Sequence, residues 1–137
     1  MKNNFKEGDF YCEEWIPTYD IIKEYSKISG DYNPIHTDIE EAKKIGKDNI
    51  IVHGNLSCTI ISKIIGMKFP GEGSLILEQN ISFPNPIFPN DFIRFEFLIK
   101  SINYDLSTIY IKVKALKTIK HNEIKKTVLR GNILCLV

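Results

Sequence analysis

The sequence is short of sulfur, guanidinium groups and long apolar runs, and each shortage narrows what the chain can be. It has 3 cysteines, Cys12, Cys58 and Cys135, odd in number and without CxxC or CxxH spacing. That pattern builds neither a disulfide framework nor a zinc site, and it fits free, buried thiols in a reducing compartment. Among 18 basic residues only Arg94 and Arg130 can form a bidentate fork, and 17 acidic residues bring the formal net charge to +1. A binder of nucleic acid or of an anionic membrane needs a basic excess, which is missing here. No stretch approaches the ~18 consecutive apolar residues of a membrane span, and the N-terminal segment lacks an apolar signal-peptide region. Disorder is excluded too, because 43% of residues are hydrophobic and 26% charged. These absences lead us to expect a cytoplasmic protein with neither nucleic acid nor membrane as partner.

What is present divides into two unlike halves. The 137 residues suit one domain over 1–137, with no linker, repeat or low-complexity segment to split it. In the first half, Asp9–Ile16 is expected to be a strand closed by Pro17. Thr18 is expected to cap a helix from Tyr19 to about Ile28, with Ile21, Ile22, Tyr25 and Ile28 at helical spacing. A loop follows over Ser29–Pro34, then a short polar helix from Asp38 to about Ile45, ended by Gly46. The segment from Asn55 to about Met67 carries Leu56, Cys58, Ile60, Ile61, Ile64 and Ile65, and is expected to be buried on nearly all sides.

The second half reads as strands. Ser74–Phe83 comes first, then a bend through Pro84, Pro86 and Pro89. Phe92–Ile102 alternates, with Ile93, Phe95, Phe97 and Ile99 on one face. Thr108–Ile119 alternates as well, placing Ile109, Ile111, Val113 and Ala115 opposite Lys112, Lys114 and Lys117. A turn at His121-Asn122-Glu123 leads into a last strand from about Lys125 to Val137. Without helices between them these strands are expected to pair as antiparallel hairpins. An α+β fold follows, in which an antiparallel sheet of about five strands curls around one long apolar helix. Such a sheet keeps exposed edges, and a homodimer is one way to cover them.

Two segments carry groups able to do chemistry. In Ser29-Gly30-Asp31-Tyr32-Asn33-Pro34-Ile35-His36 a carboxylate and an imidazole stand close together across a rigid turn. Gly30 can take positive φ, Pro34 fixes its own φ, and Asn33 can bond neighbouring backbone. That geometry suits acid–base chemistry on one bound water, although an ordinary Asx-type turn explains the same residues. In Ile51-Val52-His53-Gly54 the Gly stands at the start of the apolar helix, where unpaired amides favour negative charge. A simple helix start explains it equally well. Ser62 is polar inside that helix, and a bond to the carbonyl one turn earlier would account for it. His53 is expected to pack or orient the helix start, and His121 to be solvated. Cys58 is expected to be an inert buried thiol. Lys112, Lys114 and Lys117 suit either a solvated sheet face or contact with the phosphates of a ligand.

Taken in order, Tyr25–His36, Ile51-Val52-His53-Gly54, Pro70-Gly71-Glu72-Gly73-Ser74 and the strand with Gln79, Ser82 and Phe83 resemble the MaoC-like (R)-specific enoyl-CoA hydratases. The resemblance spans about residues 5–137, and the pairing of GDxNPxH with VHG is specific. It implies a hot-dog fold, a sheet wrapped around a helix. It implies Asp31 and His36 as the catalytic pair, Gly54 as the oxyanion amide and Ser62 as an active-site residue, with Gly30, Asn33 and Pro34 supporting the loop. It also implies dimers acting on acyl-CoA thioesters without metal or redox cofactor, coenzyme A entering as part of the substrate. Two positions depart from the family's pattern: Asn55 stands where a larger apolar residue is expected, and Asn90 where a Gly usually precedes Asp91.

The implied reaction is reversible syn addition of water to a trans-2-enoyl-CoA, giving an (R)-3-hydroxyacyl-CoA. A related dehydratase acting on acyl-carrier-protein, branched or dicarboxylic CoA thioesters is an alternative. A non-catalytic acyl-CoA-binding protein is another, disfavoured because binding alone requires neither Asp31 nor His36.

Overall fold

The computed structural model describes residues 5–119 and 124–137. The expected turn at His121 lies outside them. Nine elements follow in order: β1 (Phe10–Trp15), α1 (Tyr19–Ser29), α2 (Pro34–Thr37), α3 (Ile39–Lys44), α4 (Gly54–Met67), β2 (Leu75–Ser82), β3 (Ile93–Asn103), β4 (Thr108–Ile119) and β5 (Ile124–Leu136). The strands form one antiparallel sheet in the order β1-β3-β4-β5-β2. Its alternation is as the sequence predicts: Ile93, Phe95, Phe97, Ile99, Ile109, Ile111, Val113 and Ala115 are all buried. They share one core with Leu56, Ile61, Ile64 and Ile65 of α4, so the sheet's inner face and the helix bury each other. This is the hot-dog arrangement.

Four expectations change. The central helix α4 is 14 residues long, about 21 Å at 1.5 Å per residue, and so of ordinary length. Nor is it buried all round: Asn55, Thr59, Ser62, Lys63 and Met67 are exposed. Its deeply buried residues sit at three- and four-residue spacing and make one stripe, which leaves the opposite side open. On α1 the inward ridge is Ile22 and Ser26, at 2% and 1% exposure, while Ile28 is 84% exposed. Ile28 falls off the i, i+4 row that faces the core, so helical spacing alone overstated the stripe.

The strands are not all hairpin neighbours. β3, β4 and β5 form a meander, but β2 pairs with β5 across the sheet from β3. The proline-rich segment between β2 and β3 therefore has to cross the end of the sheet. It is tied there by Asn85 Nδ2 donating to the Thr127 carbonyl at 2.8 Å and Val52 N–H donating to the Ile87 carbonyl at 2.8 Å. Lys117 is the third tie. A bulge after Ala115 breaks the alternation, and Lys117 ends up 9% exposed, apart from the solvated Lys112 and Lys114. Its ammonium bonds Asp91 Oδ2 at 2.9 Å and the Pro86 carbonyl at 3.3 Å, and lies 4.7 Å over the Phe88 ring. Asn90 adopts φ 65°, a left-handed conformation that Asn tolerates better than most residues, which accounts for its standing where a Gly is usual.

Candidate active site

The loop between α1 and α2 is built by its caps. Gly30 ends α1 at φ 73°, a conformation that costs a residue with a Cβ but not glycine. Asp31 N–H then donates to Ser29 Oγ at 3.1 Å, and Asn33 N–H donates to Asp31 Oδ1 at 3.1 Å. Asn33 caps α2 by accepting from Ile35 N–H, and Pro34 occupies the first helical turn. His36 thus rides on a single helical turn whose start is fixed by Asn33 and Pro34. Asp31 is exposed and His36 half-buried.

A second segment, Ile51 to His53, clasps this loop at three points. Ile51 N–H donates to the Ile35 carbonyl at 2.9 Å. His36 Nδ1 lies 2.6 Å from the Ile51 carbonyl. His53 Nε2 lies 3.0 Å from the Asp31 carbonyl. A carbonyl only accepts, so His36 carries its proton on Nδ1 and His53 on Nε2. His36 Nε2 is left with its lone pair available to accept a proton.

His53 is packed at the helix start, as expected, but against the catalytic candidates. It stands at the N-cap of α4 but makes no side-chain cap bond. Its ring is 2% exposed and stacks on the His36 ring, with centroids 3.9 Å apart and planes 26° apart. Tyr25 meets it edge-on at 4.9 Å, and Ser26 Oγ lies 3.3 Å from Nε2. Burial pushes the His53 imidazole below its ordinary pKa, and the neighbouring His36 acts in the same sense, against the opposing pull of the Asp31 carbonyl. Sequence reasoning did not find the stacked pair, the Ile51 carbonyl or Ser26. The signal available was a His followed by a helix-starting Gly, which says nothing of where the ring points.

Gly54 opens α4, one peptide bond from His53, in the first turn where helix amides lack intrahelical acceptors. A Cβ at this position would lie 3.3 Å from the Phe83 ring, so Phe83, one residue past the end of β2, packs against this glycine. Ser62 is not brought to this place by the chain's own fold. It is exposed and lies two turns further along α4, about 12 Å of helical rise. A cavity of about 390 Å³ adjoins His36, between Tyr19, Ile22, Ser26 and Tyr32. Neither Asp31 nor Gly54 lines it.

Asp31, His36 and His53 each offer one metal-ligating atom, and these lie within 4.8 Å of one another. The donors are poorly placed for an ion. Each ring already has one nitrogen committed to a backbone carbonyl, His53 Nε2 to Asp31 and His36 Nδ1 to Ile51, and the other His53 nitrogen is buried. The arrangement suits a hydrogen-bonded water instead. Among the cysteines, burial raises the Cys58 thiol and pushes Cys135 up to about 12, so neither is poised as a nucleophile.

The family model described as a MaoC like domain matches residues 7–122. The chain belongs to the MaoC-like family. It is 36% identical over 90 residues to a mitochondrial 3-hydroxyacyl-acyl-carrier-protein dehydratase of Arabidopsis thaliana, a match covering 66% of this chain and 53% of that protein. It is 32% identical over 84 residues to the (R)-specific enoyl-CoA hydratase of Aeromonas caviae, covering 61% of this chain and 63% of that protein. These matches thus span between about half and two-thirds of the relatives' own lengths. The solved structure of the (R)-hydratase from A. caviae superposes with a TM-score of 0.89 at 22% identity, over 98% of each chain. That likeness extends the hot-dog fold to the whole MaoC-like chain. No described helix is long and apolar enough to cross a membrane.

Proposed function

We propose that this MaoC-like chain is an (R)-specific hydratase that adds water reversibly and syn to a trans-2-enoyl-CoA. The observation that carries the reading is the tautomer of His36. With Nδ1–H donated to the Ile51 carbonyl, Nε2 is a base presented beside the Asp31 carboxylate. Asp31 Oδ1 takes the Asn33 amide, and the exposed carboxylate keeps its second oxygen for water. A water held between the two groups lies on one face of a bound enoyl group.

The bond accounting follows. The water oxygen forms a bond to Cβ as its proton passes to the base. The C=C electron pair moves towards Cα and the thioester carbonyl, and a proton is returned to Cα from the same face. Charge gathers on the carbonyl oxygen during this step. The Gly54 amide, at the positive end of α4, is the donor in position to stabilise it. In reverse the same groups dehydrate the (R)-3-hydroxyacyl thioester. Asp31 and His36 are therefore assigned as the catalytic pair, Gly54 as the oxyanion donor, and Gly30, Asn33 and Pro34 as the frame of the loop.

In this reading the enzyme is a homodimer that needs no cofactor beyond the coenzyme A of its substrate. The strand β2 is an outer edge of the sheet with Leu75 and Leu77 exposed, and exposed Ser62 lies on the open side of α4. A second copy covering that edge would bring Ser62 into a shared pocket. A second reading, a dehydratase acting on acyl-carrier-protein thioesters, is favoured by the Arabidopsis relative.

Crotonyl-CoA offered to the purified protein is expected to lose its enoyl absorbance and yield the (R)-3-hydroxy product. Asp31→Asn and His36→Ala are each expected to slow turnover on the order of 100- to 10,000-fold. Near-normal rates in both variants would falsify the assignment. Turnover of crotonyl-acyl-carrier protein with none of crotonyl-CoA selects the second reading.

A further inference from the structure

We infer that His53 is a positioning residue that holds Asp31 and His36 in register through one buried ring. The inference rests on the hydratase reading and adds to it a third side chain, one that touches neither water nor thioester.

Three observations support it. The ring reaches both partners at once, its Nε2–H on the Asp31 carbonyl at 3.0 Å and its face on the His36 ring at 3.9 Å. The stack limits rotation of His36 about its own ring bond, and the Ile51 carbonyl fixes which nitrogen faces the site. Secondly, His53 is itself held, between Tyr25 edge-on and Ser26 Oγ, so it acts as a wall against which the loop is set. Thirdly, His53 Nδ1 is buried with no hydrogen-bond partner among the described residues. An unsatisfied buried acceptor destabilises the folded state, because its hydration is lost without replacement. An apolar side chain in the same space would avoid that cost, so packing alone gives no reason for an imidazole there. Bonding Asp31 and stacking on His36 at once does give one.

Two replacements separate the two contacts. His53→Phe keeps an aromatic face for His36 and loses the donor to Asp31. His53→Gln keeps an amide donor and loses the stack. Both are expected to retain the wild-type circular dichroism spectrum. In each, kcat is expected to fall about 10- to 100-fold while KM stays within about 2-fold, because a displaced catalytic pair lowers turnover without removing substrate contacts. Nitrogen-15 NMR of the His36 ring is expected to show a single Nδ1–H tautomer in the wild type and in His53→Phe, which keeps the stack, and a mixture in His53→Gln, which loses it. The inference is overturned if both variants keep kcat within about 2-fold of wild type, or if His36 keeps its single tautomer in His53→Gln. Should His53→Phe fail to fold, the Gln variant carries the same test alone. The NMR measurement requires no substrate. A wild type inactive on every enoyl thioester therefore strikes the hydratase reading, while unchanged His36 signals strike this one.

Discussion

At the scale of single residues, the hydrogen bonds that His36 and His53 donate to backbone carbonyls decide what the two rings can do. The carbonyls of Ile51 and Asp31 can only accept, so they fix one ring nitrogen of His36 and one of His53 as proton-bearing. Gly54 is constrained as tightly by its surroundings. A Cβ there would sit 3.3 Å from Phe83, closer than comfortable contact, so the ring or the helix start must yield. Gly54→Ala is expected to reduce kcat about 10-fold by shifting the amide proposed to hold the oxyanion, since such donors are sensitive to geometry. Phe83→Leu in the same chain is expected to recover most of that loss by making room. If the double variant is as slow as the single one in steady-state assays, the contact with Phe83 is not the cause.

Among the elements, the crossing between β2 and β3 depends on the Lys117 ammonium. Its pair with Asp91 has side-chain exposures of 11% and 24%, so removal of one partner leaves the other charge partly desolvated. Lys117→Met is expected to destabilise the chain by about 1–3 kcal/mol in urea denaturation. Adding Asp91→Asn should restore part of it, because the stranded charge is then gone. Strictly additive losses would show that the pair is not coupled. Because Val52 is bonded to this crossing at Ile87, the tie also steadies the segment that clasps the loop of Asp31 and His36.

For the molecule as a whole, acid is expected to weaken the fold in two successive steps. The folded His53 lies below its ordinary 6.5, so the unfolded chain binds the proton more readily. Its contribution to stability is intact above that value and declines as pH falls through it. Glu13 is held below its ordinary 4.5, chiefly by the hydrogen bond from Lys63. Its contribution is present above that value and is lost as pH falls through the folded one. Calorimetry should show a first interval of falling thermal midpoint as pH drops below about 6.5, and a second below about pH 4.5. His53→Phe should flatten only the first step and Glu13→Gln only the second. A midpoint unchanged over the first interval would contradict the burial of a neutral His53.

Much of this was legible in the sequence, and for identifiable reasons. Period-two alternation in β3 and β4 named the core residues, because a sheet with one wet face leaves no other place for Ile93 or Val113. Thr18 and Asp38 marked helix starts correctly, because capping is a contact between near neighbours in the chain, whereas the single turn α2 that Asn33 caps was not expected. The proximity of Asp31 to His36 follows likewise from a short turn. What the tertiary structure alone decided involves partners distant in sequence: β2 lying beside β5, Lys117 turning inward after a bulge, Ser62 facing outward, and His53 stacking on His36. None of these leaves a local pattern, since each depends on which surfaces meet once the sheet has closed over α4. The sequence by itself determined which groups could do the chemistry, and packing decided which nitrogen of His36 is free to do it.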